Sequence, residues 1–268
     1  MRLRILIPFM LVLSAVVCGC KGVEGKVGLK REAVSYSEEI LDVKQPLQLD
    51  LAGDLCNIEV YSWDRDQVKF EIIKRIRGIE EAEALQRRLK DFYVAVAQEG
   101  NKVVFKSEYK GAIKNPADRR MDLKVFVPRG GVDSVDIKLE TGRIKFHDDI
   151  KSRLNAQVKM ASTEINRFEG VINFNADMGD LRIAGGKIYN GSDISINTGN
   201  IQIKAEFENG GIYCFQTKMG NIDLSLPDGS PVSFENVGAT EVNDFTSGDY
   251  KTKVKLLSGL GKISVRKY

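Results

Sequence analysis

From about residue 137 to the end of the chain, apolar and polar residues alternate in short bursts, and most bursts are interrupted at a glycine. Ile194 and Ile196 precede Gly199 and Ile201 and Ile203 follow it, with Ser195, Asn197, Asn200 and Gln202 between them. Alternation with period two puts one set of side chains on one face of a strand, so each burst predicts two short strands around a tight turn. The same places hold Ile137 and Leu139 with Ile144 and Phe146, Phe174 and Ala176 with Leu181 and Ile183, Phe215 with Ile222 and Leu224, and Leu256 with Ile263 and Val265. Glycine suits the interruption because a positive φ costs it little, and a neighbouring Asn or Asp can bond the local backbone.

The bursts repeat one phrase: LETGRIKF, ADMGDLRI, INTGNIQI, TKMGNIDL and LSGLGKISV. Its anchors are Gly142, Gly179, Gly199, Gly220 and Gly261, with Thr163 and Thr240 at the glycine place in the degenerate copies MASTEINRF and VGATEVNDF. Successive anchors lie 16 to 21 residues apart. A step near 20 is the length of one stacked supersecondary unit. The strands could pair antiparallel as hairpins in a meander or in parallel with the copy one coil away, and the regular step favours parallel stacking. The expectation is a mainly β chain, with a β-solenoid-like stack over 131–268.

Residues 37–130 read differently. Strand-like alternation appears over 46–51, 57–63, 68–72, 102–109 and 122–128. Between the third and fourth of these, Ala82, Leu85, Leu89 and Phe92 share one face of a helix expected over 79–92, and Glu83 precedes Arg87 by four residues. One helix on a small sheet would make a β-rich cap for the N-terminal end of the stack, which needs covering because an open end presents unpaired backbone. The C-terminal end has no such cover: the strand 262–265 stops three residues short of Tyr268. That end is expected to self-associate or to dock a partner, with Arg266 and Lys267 limiting uncontrolled stacking.

The first 19 residues predict an export signal. Arg2 and Arg4 form a positive start, 5–17 is an apolar run too short for a comfortable membrane span, and Val17-Cys18-Gly19-Cys20 closes it. Val17 and Gly19 before Cys20 resemble the bacterial lipobox, which implies lipidation of Cys20, a membrane anchor, and an outer-membrane destination where the organism has one, since Lys21 rather than Asp follows. Cys18 departs from that pattern, and a plain secretory signal is the alternative. Residues 20–36 are Lys-, Glu-, Gly- and Ser-rich and predict a flexible tether.

The run GDLCNIEVYSWDRDQVKFEI, the helix, and LKVFVPRGGVDSVDIKLETGRIKF followed by recurring T-G-x-I-x-I units together resemble the DUF4097 family of β-strand-repeat proteins, described as candidate adhesins. The resemblance covers roughly residue 47 to the end. It implies an exported or membrane-anchored protein with a β-solenoid-like C-terminal half and no established chemistry, and it offers no catalytic residue to carry over.

Charge excludes one class. Without 1–19 the chain has 40 − 2 = 38 basic residues against 37 acidic ones, a balance that argues against a nucleic-acid partner. Cys56 and Cys214 remain as the two thiols; they could form a disulfide, but they lie in different predicted regions and the parity of Cys214 turns it away from the core. The one histidine, His147, precedes Asp148 and Asp149, where a metal site or an acid/base pair could form, but a solvated strand end is the simpler reading. Asp180, Asp193 and Asp223 recur near the repeats, yet Arg143, Asn200, Asn221 and Lys262 hold the corresponding places, so no column of like charge results. Phe146, Phe174, Tyr213 and Phe215 have inward parity and read as core, Phe207 lies beside them, and Trp63 reads as packing between cap and stack. No catalytic, metal-binding or cofactor-binding residue is expected. The function expected is a non-catalytic envelope lipoprotein, adhesin-like, serving as a scaffold or a binding surface for an envelope protein or glycan. The alternative is a polysaccharide-active solenoid enzyme.

Overall fold

The computed structural model describes residues 30–112, 118–245 and 248–268. The expected signal segment 1–19, Cys20 and the first residues of the tether lie outside them. The described chain is about 74% strand, with a single helix. The first half supplies β1 (Arg31–Asp42), β2 (Leu47–Trp63), β3 (Gln67–Gly78), α1 (Ala82–Leu89), β4 (Phe92–Glu99), β5 (Lys102–Tyr109) and β6 (Arg119–Pro128). The second half supplies β7 (Val132–Lys151), β8 (Arg153–Gly170), β9 (Ile172–Met178), β10 (Leu181–Ile183), β11 (Gly186–Ile188) and β12 (Asp193–Thr198). It ends with β13 (Ile201–Lys204), β14 (Glu206–Phe207), β15 (Ile212–Met219), β16 (Ile222–Leu226), β17 (Val232–Asn243) and β18 (Thr252–Lys267).

Neighbouring bursts lie side by side in parallel register. Leu51, Ile137, Ala156, Phe174, Ile194, Phe215 and Leu256 form one column of paired positions, and every member is buried. Ile58, Ile144, Thr163, Leu181, Ile201, Ile222 and Ile263 form a second buried column. Each aliphatic side chain taken from water in this way stabilises the fold by roughly 1.5–3 kcal/mol. Between the columns the inward parity slips: inward residues run Leu139 then Ile144, Ile196 then Ile201, and Thr217 then Ile222. An interval of five cannot lie on one face of a straight strand, so the chain must turn a corner there.

The expected β-solenoid of repeats behind a separate cap is corrected. All eighteen strands belong to one sheet, and the architecture is a closed parallel β-barrel of eight strands with further strands outside it. The residues taken for a cap build the wall itself: β2 pairs with β7 from Leu47–Val132 to Val60–Phe146, and with β5 and β6 on its other side, all in parallel. Apolar residues from both halves then share one continuous core. Antiparallel pairings are confined to β1 with β3, β3 with β6, and β4 with β5.

Three local expectations also change. Arg31 to Tyr36, assigned to the tether, enter β1 and pair with β3, and Ala33 is buried there. The helix is shorter than 79–92: it buries Leu85 and Leu89, its last turn closes by Lys90 and Asp91 N–H donating to Arg87 and Arg88 carbonyls, and Phe92 leaves to start β4, edge-on to Tyr109 at 4.8 Å. The strand 262–265 is not a free edge. It lies within β18, which is flanked by β15 and β16 on one side and β17 on the other, so the chain's last strand slots inside its predecessor. The outermost strand on that side, β17, carries two register shifts, around Gly238 and after Thr240, and such irregularities discourage strand addition.

Candidate binding surface

The five anchor glycines all sit at the corners. Their φ angles are +155° at Gly142, +135° at Gly179, +148° at Gly199, +153° at Gly220 and +152° at Gly261. They are not tight turns, as expected, but kinks in extended chain; Gly142 and Gly261 lie inside β7 and β18. Their second role is close approach. A Cβ on Gly199 would stand 2.0 Å from the Gly179 carbonyl oxygen, one on Gly220 2.0 Å from that of Gly199, and one on Gly261 2.0 Å from that of Gly220. The Thr217 hydroxyl donates to the Gly199 carbonyl at 2.8 Å and Ser258 does the same for Gly220 at 2.9 Å, so the buried corner carbonyls are satisfied. Thr163 and Thr240 do not occupy the corner: they pair with Ile144 and Ile263, two places further on, and Ala161 takes the glycine place in β8.

After Gly179, Gly199 and Gly220 the next residue links the strands. The Asp180 carboxylate accepts from the Asn200 backbone N–H at 2.7 Å, the Asn200 side-chain oxygen from Asn221 N–H at 2.9 Å, and the Asn221 oxygen from Lys262 N–H at 2.9 Å. This explains the preference for Asn or Asp after Gly better than a local turn does: each side chain serves the neighbouring strand, 20 or 21 residues on for Asp180 and Asn200 and 41 for Asn221. Other outward columns use charge in alternation, as with Lys145 and Glu164 at 3.5 Å, or amides, as with Asn155 donating to Asp136 and Asn173 to Asn155.

A groove of about 680 Å³ opens on this surface where the β4–β5 hairpin stands beside β7, β8 and β9. Its walls carry Asp54, Lys106, Glu108 and the half-exposed Tyr93 on one side, and Lys138, Glu140, Gln157, Lys159, Asn175 and Asp177 on the other. Three of the four carboxylates are engaged in hydrogen bonds. Asp54 accepts from the Leu55 and Tyr109 N–H groups, Glu140 from Lys159, and Asp177 from Asn197 at 3.0 Å. Lys138, Gln157 and Asn175 make no side-chain hydrogen bond among the described residues, so their donors and acceptors face the groove uncommitted.

No family model and no curated protein matches the chain. Solved structures do. A candidate adhesin from Bacteroides fragilis is 13% identical, with 87% of this chain and 97% of that one covered at a TM-score of 0.42. A candidate adhesin from Parabacteroides distasonis is 15% identical, with 87% and 97% covered and a TM-score of 0.36. A candidate lipid-binding protein from the same species is 12% identical, with 87% and 96% covered and a TM-score of 0.38. Likenesses of this strength fix neither the fold nor the ligand of this chain, and DUF4097 membership is not shown by them.

The remaining candidate residues fall outside the groove. His147 is half-buried and stacks on Tyr61, with centroids 4.3 Å apart and planes 6° apart. Its two neighbours are committed to structure: Asp148 accepts from Ser62 N–H at 2.7 Å, and Asp149 faces Arg167 at 3.8 Å. Among the described residues no three His, Cys, Asp or Glu side chains gather as a metal site would require. Phe146, Phe174, Tyr213 and Phe215 are buried and Phe207 packs against the core. Trp63 lies on the outside, donating to the Gln67 carbonyl at 2.7 Å beside Phe126.

Cys56 and Cys214 are both free thiols. Burial pushes the Cys56 thiol far up, and burial together with the nearby Asp193 raises that of Cys214, which is only half-buried. The thiolate is the nucleophile. At neutral pH iodoacetamide should therefore modify Cys214 more slowly than an exposed cysteine, faster as pH rises, and leave Cys56 untouched until the protein unfolds. Peptide mapping after timed labelling checks this, and early modification of Cys56 would contradict its enclosure.

Proposed function

We propose that this protein is a non-catalytic binding or scaffold protein of the cell envelope, held to a membrane through a lipid on Cys20. The groove between the β4–β5 hairpin and strands β7 to β9 is its principal contact surface. The observation that carries this reading is the state of the groove's polar groups. Three of its four carboxylates, Asp54, Glu140 and Asp177, are tied to backbone N–H groups, a lysine and an amide, which suits a rigid surface better than acid/base work, while Lys138, Gln157 and Asn175 offer donors and acceptors to something outside. Such a lining suits a polar, extended ligand such as a glycan chain or peptide segment. A wall of strands cross-linked by side chain to backbone bonds would present that surface with little motion.

Two measurements test the parts separately. For the anchor, Cys20→Ser should give a soluble or unprocessed product while Cys18→Ser stays processed and membrane-bound; an intact mass without lipid on Cys20 would rule the anchor out. For the groove, the lipidated protein and an Asn175→Trp variant, which fills the groove, are used to capture partners from the organism's own envelope. A partner retained by the first and lost by the second supports the groove, and equal capture by both removes it.

A further inference from the structure

Outside the barrel, three rings stack in line across three paired strands: Phe126 on β6, Tyr61 on β2 and His147 at the end of the inward and outward alternation in β7. Phe126 and Tyr61 have centroids 5.2 Å apart at 18°, and Tyr61 and His147 4.3 Å apart at 6°. One outer face of this ladder is closed by the Lys69 ammonium, 4.3 Å above Phe126. Tyr61 is fixed by donating to Glu59 at 2.6 Å, and burial with that bond pushes its hydroxyl up to about 12, so it remains a donor.

The other face, that of His147, looks along the same outward column towards Asn166 on β8 and then Ala184, beside β10. Both are short, so the ladder drops into a notch of about 290 Å³. Lys145, Glu164 and Arg182 stand around it. Among the described residues Arg182 has no ion-pair partner, whereas Lys145 and Glu164 are 3.5 Å apart. The Asn166 amide nitrogen donates to the His147 carbonyl at 3.3 Å, which leaves its side-chain oxygen free to accept.

We infer that this notch binds one residue of an acidic sugar, a hexuronate, with its ring face against His147 and its carboxylate on Arg182. Three features select that class together. The imidazole face turned to the notch favours a flat-faced ring; Arg182, the cation without an ion-pair partner, favours a carboxylate and can grip it by two parallel bonds; Glu164 and Asn166 present acceptors that suit hydroxyl donors. An apolar aromatic acid would satisfy the first two and offer those acceptors no donor. The volume is at the small end for ligand sites, enough for a single ring. This site is separate from the groove and does not depend on it.

The test is saturation-transfer NMR on the full chain in mild detergent, with galacturonate, galactose and benzoate as probes. Galacturonate should receive saturation at its ring protons, and both galactose and benzoate much less. Arg182→Gln and His147→Ala should each reduce the galacturonate signal by about tenfold, as expected for loss of a charge-assisted pair or a stacking face. Lys218→Gln, remote in the sequence pattern, should not. Equal signals for the three probes, or an unchanged galacturonate signal in both variants, would overturn the assignment. Arg182→Gln touches no core residue, so its result stands even if His147→Ala disturbs the stack.

Discussion

Replacing Gly199 by alanine should destabilise the protein by about 4 kcal/mol, a large effect for adding a single methyl group. Two causes act together. At φ +148° an L-residue is strained by itself, because this extended region is essentially open to glycine alone. The new Cβ would also lie 2.0 Å from the Gly179 carbonyl oxygen, an overlap that only a backbone shift can relieve. That shift would disturb bonds on both sides, since Gly199 N–H donates to the Met219 carbonyl at 2.9 Å and Gly179 N–H to the Thr198 carbonyl at 2.9 Å. Gly210→Ala is the matched control. Its φ is +78°, again left-handed, but nothing lies within 4 Å of the Cβ, so only the conformational cost of about 1 kcal/mol applies. Thermal or urea denaturation of both variants decides it. Equal losses would mean that close approach at the corner contributes nothing.

The glycines show how much of this molecule is legible in its sequence. Their positions, and the parallel pairing of the phrases around them, can be read from the recurrence alone, because a column of equivalent residues writes the same letters about every 20 places. Their role cannot. A glycine flanked by alternating apolar residues looks the same whether it makes a hairpin turn or lets one strand's carbonyl press against the next; only the change of inward parity across it, Leu139 to Ile144 or Ile196 to Ile201, betrays a corner. The anchor read at Thr163 is two residues out of register for the same reason: Ala161, not Thr163, occupies the corner, and alanine carries no turn signal.

The closed barrel was less accessible. Strand β2 joins β7 through residues some 85 positions apart, Leu51 with Ile137 and Ile58 with Ile144, and no repeated wording marks that pairing. Read locally, the strands of 37–130 resemble a separate small sheet. Strand β4 is not legible because FYVAVAQE has inward Phe92 followed by exposed and half-exposed residues, without a clean alternation. The order β15, β18, β17 was hidden too, since nearest-neighbour stacking is the default for repeats and nothing in VGATEVNDF announces that its strand moves to the outside. As for the candidate surfaces, Tyr61, Phe126 and His147 lie far apart in the chain, and their stacking follows from the pairings that were not foreseen. One signal was available: all three are aromatic residues at outward parity, which a core explanation does not cover.

Substituting Ile201 by aspartate should unfold the protein or cost on the order of 5 kcal/mol, whereas Gln202→Asp should change stability by well under about 1 kcal/mol. Ile201 is fully buried, paired with Leu181 on one side and Ile222 on the other in the second apolar column. Aspartate there loses the burial of an isoleucine and must either hold an unpaired charge in an apolar interior or take up a proton to avoid it. Either route opposes folding. The raised carboxyl pKa fixes the sign of the pH dependence. A group whose pKa is higher in the folded state is penalised less when protonated, so the variant should regain stability as pH falls towards 4 and lose it as pH rises. Gln202 points outward from the next position, between Arg182 and Asp223 in its own column. A carboxylate there meets one cation and one acid in solvent, and the two nearly cancel. Denaturant melts of the two variants at pH 5 and pH 8 separate the cases. If they unfold at the same midpoint, the alternation that puts Ile201 in the core and Gln202 on the surface is wrong, and the enclosed interior inferred from it fails as well.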